Sequence, residues 1–298
     1  MSRILIGADV GGSKTAVAVS EGGPILGRVE GPGAAVRPGR ALASAGTIAE
    51  VVRRALSSVR RLTGDVLVVG AAGAGRDPER DELRKALRAE NLATTVVVTT
   101  DIEIALLAAF AEGPGMVVSA GTGSIAVGRD RNGNRHRIGG YGWQMGDEGS
   151  GYAIGRAALG AVSRANDGRS PRTALSEQVL LAARCDSFDA LVRWAAGASP
   201  AEIAALAPAV LSVAAQGDPL AQGIADYAAR ELSQLAICLL PVMDVEPPVG
   251  VALTGRLLSD DQPLRRSVLA KLTEEPGLRP IETPVEAVSG ALALAASS

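Results

Sequence analysis

An aspartate stands directly before a glycine-rich turn in the stretch "ILIGADVGGSKTAVAVS" at residues 4–20. Apolar, β-rich runs on both sides of the turn predict two strands joined by a hairpin. Backbone N–H groups exposed in such a turn form a concavity that binds anions. A carboxylate there would repel a bare phosphate, so Asp9 is explained if Mg²⁺, held through water, lies between them. The residues predicted to hold the phosphates are Gly11, Gly12, Ser13, Lys14 and Thr15.

Two common nucleotide-binding motifs do not fit this turn. A P-loop requires glycine directly before its lysine, but Ser13 precedes Lys14, and the spacing back to Gly7 is wrong. A dinucleotide fingerprint opens a helix, whereas "TAVAVS" predicts a strand. A turn between two strands is the remaining interpretation.

A similar pattern recurs about 110 residues later. Residues 115–140 read "GMVVSAGTGSIAVGRDRNGNRHRIGG", and Ala120 stands where the first copy has Asp9. A duplicated pair of domains, whose two turns hold one ATP from opposite sides, is the economical interpretation. Two unrelated hairpins in a chain with 36 glycines is the alternative. The second turn offers amides and hydroxyls but no carboxylate, and its residues are Gly121, Thr122, Gly123 and Ser124.

A second carboxylate, Asp101, ends the predicted strand "TTVVVTTD" at 94–101 and precedes an apolar helix. Chemistry in α/β proteins is found at the carboxyl ends of strands, so Asp101 is a candidate catalytic base. Aspartate is also a favoured helix N-cap at such a position. Both interpretations stay open.

The segment "GGYGWQMGDEGSGYAIG" at residues 139–155 combines glycines, acids and aromatic side chains. Carboxylates hydrogen-bond sugar hydroxyls, and an aromatic face covers the apolar C–H groups of a sugar. We therefore expect a sugar-binding loop; a flexible turn, which rarely carries Trp and Tyr, is the alternative. The candidate sugar contacts, besides Asp101, are Gly140, Tyr141, Asp147 and Gly151.

The surrounding elements predict an α/β fold made of mixed sheets with helices on their faces. A three-stranded meander is followed by a helix in 40–62 and by strand-helix units, and residues 150–245 are mostly helical. A strand at 250–258 and a last helix complete the chain. We expect domains at 1–114 and 115–298, with the last helix able to pack back on the first domain.

Composition excludes several functions. The chain has 298 residues, 30 basic and 32 acidic, and this balance does not favour nucleic acid as a partner. Its single histidine, His136, lies in an expected turn, and Cys185 and Cys238 are far apart, so neither a zinc site nor a disulfide framework is indicated. Cys238 is expected to pack inside an apolar helix at 220–240. No targeting or membrane segment is evident, which predicts a soluble, cytoplasmic protein.

Taken in order, "DVGGSKT", "GAAGAGR", "TTD", "SAGTGS", "GGYGWQMGDEGSGY" and "ALTGRLL" carry a family resemblance. They resemble the N-acetylglucosamine kinase branch of the sugar kinase/heat-shock protein/actin superfamily, among the BadF/BadG/BcrA/BcrD-type ATPases. The resemblance covers essentially the whole chain, and the "GYGWQMGDEGS" block is its most specific part. It implies two ribonuclease-H-like domains with ATP and sugar in a cleft. It also implies phosphoryl transfer from Mg-ATP to a sugar hydroxyl, usually O6.

The resemblance also implies roles by position. Asp9 would order Mg²⁺, Asp101 would be the catalytic base and Asp147 the sugar-binding acid, while Gly255 and Arg256 would lie near the nucleotide. Two departures affect sugar choice, because the related kinases carry asparagines where this chain has alanines at 34–35 and isoleucine at 125. The acceptor is expected to be N-acetylglucosamine, with glucosamine or a muramic-type amino sugar as alternatives.

Two further functions remain open within the same resemblance. ATP-driven activators of acyl-CoA reductases or dehydratases hold an iron–sulfur cluster with cysteine thiolates, and the placement of Cys185 and Cys238 disfavours this function. A nucleotide-dependent sugar sensor would bind sugar without turnover, and no DNA-binding motif supports a regulator. A homodimer is expected by analogy with similar kinases.

Overall fold

The computed structural model describes residues 3–298, which divide into two compact units. The first unit comprises Met1–Gly113 together with Val285–Ser298, and the second comprises Pro114–Pro284. The division therefore differs from a single boundary at 114/115, because the last fourteen residues group with the first unit. Their helix packs there on the first strand and on the helix that begins at Asp101.

The first unit contains a five-stranded mixed sheet. Three antiparallel strands come first and two parallel strands follow, in the spatial order β3-β2-β1-β4-β5. The strands are β1 (Ile4–Val10), β2 (Lys14–Glu21), β3 (Ile25–Pro32), β4 (Gly64–Ala71) and β5 (Ala93–Thr99). The helices in the first part of the chain are α1 (Ala41–Ser58), α2 (Asp77–Ala89) and α3 (Asp101–Phe110). The predicted α/β fold is confirmed in this unit.

Periodic apolar residues place α1 on the sheet. Ile48, Val52 and Leu56 recur at helical spacing and are buried. Leu62, which the periodicity assigns to the same face, is 90% exposed because the helix ends at Ser58.

The second unit repeats the same topology. Its sheet has the order β10-β9-β6-β7-β8, so that β6 takes the central place of β1, with an antiparallel hairpin on one side and parallel strands on the other. The strands are β6 (Gly115–Ala120), β7 (Ser124–Arg129), β8 (Arg135–Gly139), β9 (Val249–Thr254) and β10 (Leu278–Ile281). The repeat noticed in the sequence therefore corresponds to two sheets of the same strand order.

Helices make up much of the rest of this unit, and the numbering continues in chain order. They are α4 (Gly151–Asn166), α5 (Ala174–Ala182), α6 (Phe188–Gly197), α7 (Pro200–Ala204), α8 (Ala207–Ala215), α9 (Pro219–Leu239) and α10 (Pro263–Thr273); α11 (Ala287–Ser297) belongs to the first unit. Short 3₁₀ turns lie at Leu240–Val242 and Arg256–Leu258.

Strand register corrects one detail of the repeat. Counting back from the last residue pair before each glycine turn, Asp9 corresponds to Ser119 and not to Ala120. The alignment of the two copies made from the sequence is shifted by one residue, because the first turn is one residue longer than the second. Neither residue of the second copy is a carboxylate, so the two turns still differ in charge. The closing pairs are Val10 with Thr15 and Ala120 with Ser124.

Two predictions about single side chains in the second unit are wrong. Cys238 is exposed, because it lies on the outer face of α9, where its Sγ is 3.9 Å from Oε1 of Gln234. His136 lies in β8, where its Nε2 is 2.9 Å from a buried Asp130 carboxylate oxygen. Helical periodicity identifies an apolar stripe but does not fix which residues at its margin are covered.

Within residues 3–298 no single helix is both long enough and apolar enough to cross a membrane. Two consecutive helical segments, Pro200–Ala215 and Pro219–Val242, meet these length and composition criteria only when they are taken together, and they are bent by 115° at their junction.

Candidate active site

The first glycine turn is held open by its own backbone and by the chain after β3. The Gly11 N–H donates to the Lys14 carbonyl at 2.9 Å, and the Ala34 N–H donates to the Gly11 carbonyl at 3.1 Å. Gly33 lies against the turn so closely that a Cβ there would be 2.2 Å from the Gly12 carbonyl oxygen. The exposed Gly12 and Ser13 amides donate no hydrogen bond within the described chain. The turn therefore presents two backbone donors to an anion.

The first two residues of β2, which follow this turn, differ in the exposure of their side chains. Lys14 is exposed, and its Nζ lies 2.6 Å from Oε1 of Glu30 on β3. Thr15 is fully buried, and its hydroxyl has no hydrogen-bond partner among residues 3–298. Successive side chains of a strand point to opposite faces, so Lys14 faces outward and Thr15 inward. The Thr15 side chain therefore points away from the outer surface of the turn, and its part in phosphate binding stays a prediction.

Strand register brings Asp9 and Asp101 to one edge of the first sheet. Asp9 pairs with Gly70 on β4, and Gly70 pairs with Thr99 on β5, which ends two residues before Asp101. All three strands run parallel to one another, so both aspartates lie at the carboxyl ends. With one strand between them, the two backbones are about 10 Å apart.

Asp101 is not the N-cap of α3. The cap is Thr100, whose side-chain oxygen accepts a hydrogen bond from the Glu103 N–H at 3.2 Å. Asp101 is the first helical residue, and its Oδ1 accepts from the Ile102 N–H at 3.0 Å. The helix N-terminus is thus satisfied without Asp101 acting as the cap, and a second carboxylate oxygen remains for other partners.

Burial raises the pKa of both aspartates. The pKa of Asp9 rises from 3.8 to about 6, mainly because the carboxyl is buried and then because Asp101 is near, while Lys14 and Arg28 oppose the rise. Burial also raises the pKa of Asp101, against the hydrogen bond from Ile102. Carboxyl groups with raised pKa values are frequent among catalytic bases and metal ligands.

Asp9 is a suitable ligand for a hydrated divalent cation. Residues 3–298 contain no cluster of three or more His, Cys, Asp or Glu side chains that could enclose a metal. Mg²⁺ commonly takes only one or two carboxylates and completes its shell with water and phosphate oxygens. A half-buried carboxylate near a second one, and beside a turn with free amides, matches that requirement.

Some polar groups at the second glycine turn are hydrogen-bonded to the loop that follows β8. The Ser124 N–H donates to Asp147 Oδ1 at 3.2 Å, and the Ser124 hydroxyl donates to the Glu148 carbonyl at 2.7 Å. Both polar groups of Ser124 are therefore engaged within the second unit, and its role as a phosphate ligand stays a prediction. The Thr122 and Gly123 amides donate no hydrogen bond elsewhere in residues 3–298, so they remain available.

Asp147 connects the predicted sugar loop to this turn. Its φ of +63° is unusual for a residue other than glycine, and the side chain is buried. A Cβ added to Gly123 would lie 2.7 Å from its Oδ2, so the carboxylate is packed directly against the turn. Burial raises the pKa of Asp147, while hydrogen bonds from Ser124 and Gly142 oppose that rise.

The start of α4 is also hydrogen-bonded to the second glycine turn. The Gly151 N–H donates to the Gly121 carbonyl at 2.8 Å, and the Tyr152 N–H donates to the Thr122 carbonyl at 3.2 Å. A larger residue at Gly151 would force the backbone to shift, because a Cβ there would be 2.9 Å from the Gly121 carbonyl oxygen. The loop and the turn are thus bonded at several points, which argues against the flexible-turn alternative.

Three large apolar side chains of the loop face solvent. Tyr141 is 57%, Trp143 45% and Met145 82% exposed. The ring of Trp143 contacts that of Tyr152 with centroids 5.2 Å apart, which anchors one side of the group. An exposed aromatic group on a backbone held by hydrogen bonds is suited to cover the apolar face of a small ligand.

Gly255 follows β9 directly beside the second turn. It has φ of +89°, and a Cβ there would be 2.4 Å from the carbonyl oxygen of Ala120, so only glycine fits. Arg256 is exposed at the start of the 3₁₀ turn. The turn is supported by Arg265, a buried residue whose Nη1 donates to the Leu258 carbonyl at 3.0 Å. The role of Arg265 could not be predicted from the sequence, since an arginine in "PLRRSV" gives no sign of burial.

The sequence pattern of one protein family matches residues 6–295, nearly the whole chain. The chain belongs to the BadF/BadG/BcrA/BcrD ATPase family. The resemblance drawn from the sequence motifs is thereby confirmed. Each of the two sheets of equal strand order carries a glycine turn after its first strand.

The chain is also similar to individual proteins that are named as amino-sugar kinases. The chain is 33% identical over 182 residues to the N-acetylmuramic acid/N-acetylglucosamine kinase of Clostridium acetobutylicum, a match that spans 60% of each protein. It is 30% identical to the N-acetyl-D-glucosamine kinase of Dictyostelium discoideum over 99% of the chain and 98% of that protein. The crystal structure of a candidate N-acetylglucosamine kinase from Chromobacterium violaceum superposes with a TM-score of 0.81 at 27% identity, covering 98% of both chains.

Proposed function

We propose that this chain is an ATP-dependent kinase that transfers the γ-phosphoryl group of Mg-ATP to O6 of an amino sugar, most simply N-acetylglucosamine. The observation that carries the proposal is the placement of Asp9 and Asp101 at the carboxyl edge of one sheet, next to a turn with free amides. The names of the relatives support the broader class, an ATP-dependent sugar kinase acting on amino sugars.

Asp101 is the proposed general base. It accepts the proton of the sugar hydroxyl as that oxygen forms a bond to the γ-phosphorus, while the bond from the γ-phosphorus to the β–γ bridging oxygen breaks and ADP leaves. Its Oδ1 accepts a bond from the Ile102 N–H, and its Oδ2 is the proposed acceptor of this proton. The raised pKa that burial gives it increases its affinity for the proton.

Asp9 is the proposed partner of the cation. It would hold Mg²⁺ through water, and the ion, when bound, neutralises charge on the phosphate oxygens. The cation would also relieve the repulsion between Asp9 and Asp101 that contributes to the raised pKa of Asp9.

Backbone amides are the proposed phosphate ligands. The first unit offers those of Gly12 and Ser13, and the second offers those of Thr122 and Gly123. Lys14 adds a positive charge beside the first pair, shared with Glu30. We further propose that the nucleotide contacts the backbone of Gly255 and the exposed Arg256, because Gly255 lies against the end of β6.

The loop after β8 is the proposed sugar site. Tyr141 would cover an apolar face of the sugar, and Gly140 and Gly151, on either side of the exposed aromatic group, are further proposed sugar contacts. Asp147 would accept a sugar hydroxyl with its carboxylate, which also accepts the Ser124 and Gly142 N–H groups and so shapes the loop. A homodimer and a cytoplasmic location stay predictions.

The experiment is an assay of ADP release with Mg-ATP across N-acetylglucosamine, glucosamine, N-acetylmuramic acid and glucose. The proposal expects turnover on at least one amino sugar, with N-acetylglucosamine preferred over glucose. Phosphorus–proton correlation NMR of the product would identify the phosphorylated oxygen. Release of ADP at the same rate with and without every sugar would refute the kinase and favour an ATPase activator or a sensor.

A further inference from the structure

Arg137 is placed beside the predicted sugar loop. It lies on β8, two residues before the strand ends at Gly139, and its guanidinium carbon is 4.9 Å from the centroid of the Tyr141 ring. Stacking on an aromatic face fixes the plane of a guanidinium while leaving its N–H groups free at the edges.

The charge of Arg137 is not matched within the protein. Among residues 3–298 no carboxylate lies within 4 Å of it, and it donates no hydrogen bond there. Arg131, in the turn between β7 and β8, differs from it by forming ion pairs with Asp244 and Glu246. Arg137 is exposed, so its donors can meet a ligand.

The surroundings of Arg137 suit a ligand that has both an apolar and an anionic part. Gly140 lies against Ile125, because a Cβ there would be 2.6 Å from the Ile125 Cδ1. Tyr141 and Trp143 expose their rings on the same loop. An isoleucine side chain supplies no hydrogen bond to a sugar hydroxyl, but it can contact the methyl group of a substituent.

We propose, on the basis of the kinase function above, that Arg137 binds a carboxylate carried by the amino-sugar substrate. Substrates of this class bear an acid on an ether substituent, as the lactyl group of N-acetylmuramic acid does. A planar guanidinium can bind a carboxylate through two parallel N–H donors. The apolar part of the substituent would contact Ile125 and the Tyr141 ring. A neutral amino sugar makes no use of the guanidinium charge.

The experiment compares N-acetylmuramic acid with N-acetylglucosamine as acceptors for the wild-type protein and for Arg137→Gln and Arg137→Lys. The expected result is that Arg137→Gln lowers the ratio of the two kcat/KM values, acid over neutral sugar, by 10-fold or more, chiefly through KM. Arg137→Lys should lower it less, because an ammonium keeps the charge but not the paired donors. Added salt should raise KM for the acidic sugar more than for the neutral one.

Arg135→Gln is the matched control, since it removes the same charge two residues earlier on β8. An equal loss of the ratio in Arg135→Gln would overturn the proposal in favour of a general charge effect. So would a wild-type protein that phosphorylates N-acetylglucosamine but not N-acetylmuramic acid, a result that leaves the kinase function standing. If no amino sugar is phosphorylated, the kinase function itself fails. Calorimetric titration with N-acetylmuramic acid then decides the proposal, which requires binding that weakens in Arg137→Gln.

Discussion

The carboxylate of Asp147 accepts a hydrogen bond from the backbone N–H of Ser124 at 3.2 Å, across 23 residues of sequence. This bond joins the proposed sugar loop to the second glycine turn. A change in one of these segments is therefore expected to affect the other, so that the sugar and nucleotide sites of this unit are structurally coupled.

Asp147→Ala is expected to destabilise the protein and to raise KM for both sugar and ATP. The substitution leaves the Ser124 N–H buried without an acceptor, which costs about 1–3 kcal/mol. Asp147→Asn is the control, because asparagine tolerates a φ of +63° and its side-chain oxygen can accept the same bond. Urea unfolding and steady-state kinetics measure both effects. An alanine variant as stable as the asparagine variant would contradict the structural role.

Gly33→Ala is expected to weaken ATP binding. The new Cβ would lie 2.2 Å from the Gly12 carbonyl oxygen, so the first glycine turn must move. We expect KM for ATP to rise about 10-fold or more, the equivalent of about 1.4 kcal/mol. Gly46→Ala in α1 meets no atom within 4 Å and should leave kinetics unchanged. Unaltered ATP kinetics in Gly33→Ala would show that the turn does not hold the nucleotide.

Asp9→Asn is expected to stabilise the ligand-free protein in a pH-dependent way. Because the pKa of Asp9 is raised from 3.8 to about 6, the folded state binds its proton more tightly than the unfolded chain. The stability of the wild type relative to the variant therefore falls as the pH rises from about 4 to 6 and is lowest above pH 6. The variant should gain up to about 2 kcal/mol near neutral pH, a figure reduced for solvent screening.

The same variant should lose the response to Mg-ATP. Thermal unfolding followed from about pH 4 to pH 8 with and without Mg-ATP checks both statements. The wild type should be stabilised by Mg-ATP and the variant much less. A variant that gains stability equally at every pH would contradict the raised pKa of Asp9. A variant that responds to Mg-ATP as the wild type does would remove Asp9 from the cation site.

Gly255→Ala and Arg256→Gln should have different effects. Alanine at 255 needs an unfavourable φ and collides with the Ala120 carbonyl, so the protein loses stability as well as ATP affinity. Arg256 is exposed, so its substitution should raise KM for ATP without changing the unfolding midpoint. Differential scanning fluorimetry beside ATP titration separates the two. An Arg256→Gln variant with wild-type KM would show that this side chain does not contact the nucleotide.

Much of the fold could be predicted from the sequence, because apolar periodicity and turn residues act locally. The strands that end at Val10 and Thr99, and the helix that begins at Asp101, follow from such patterns. The repeat of strand, glycine turn and strand also identified the two turns. These features depend on neighbouring residues and on strand length.

The direction of single side chains could not be predicted as well. Thr15 and Ser124 belong to the predicted phosphate turns, yet one hydroxyl is buried and the other is bonded to the loop backbone. The burial of Thr15 depends on which face of its strand is covered, and the hydrogen bond of Ser124 depends on a segment more than twenty residues away. Arg265 and Cys238 were misjudged or missed for the same reason, because burial is decided by packing between distant elements.

The most direct test of the central claim is the rate of sugar phosphorylation by Asp101→Asn. Asparagine keeps the shape of the side chain but cannot accept the hydroxyl proton, so kcat should fall by about 10²-fold or more while Mg-ATP still binds. Glu103→Gln, in the same turn of α3, is the control and should retain most of the activity. An Asp101→Asn variant that keeps more than about a tenth of the wild-type kcat would contradict the assignment of Asp101 as the general base.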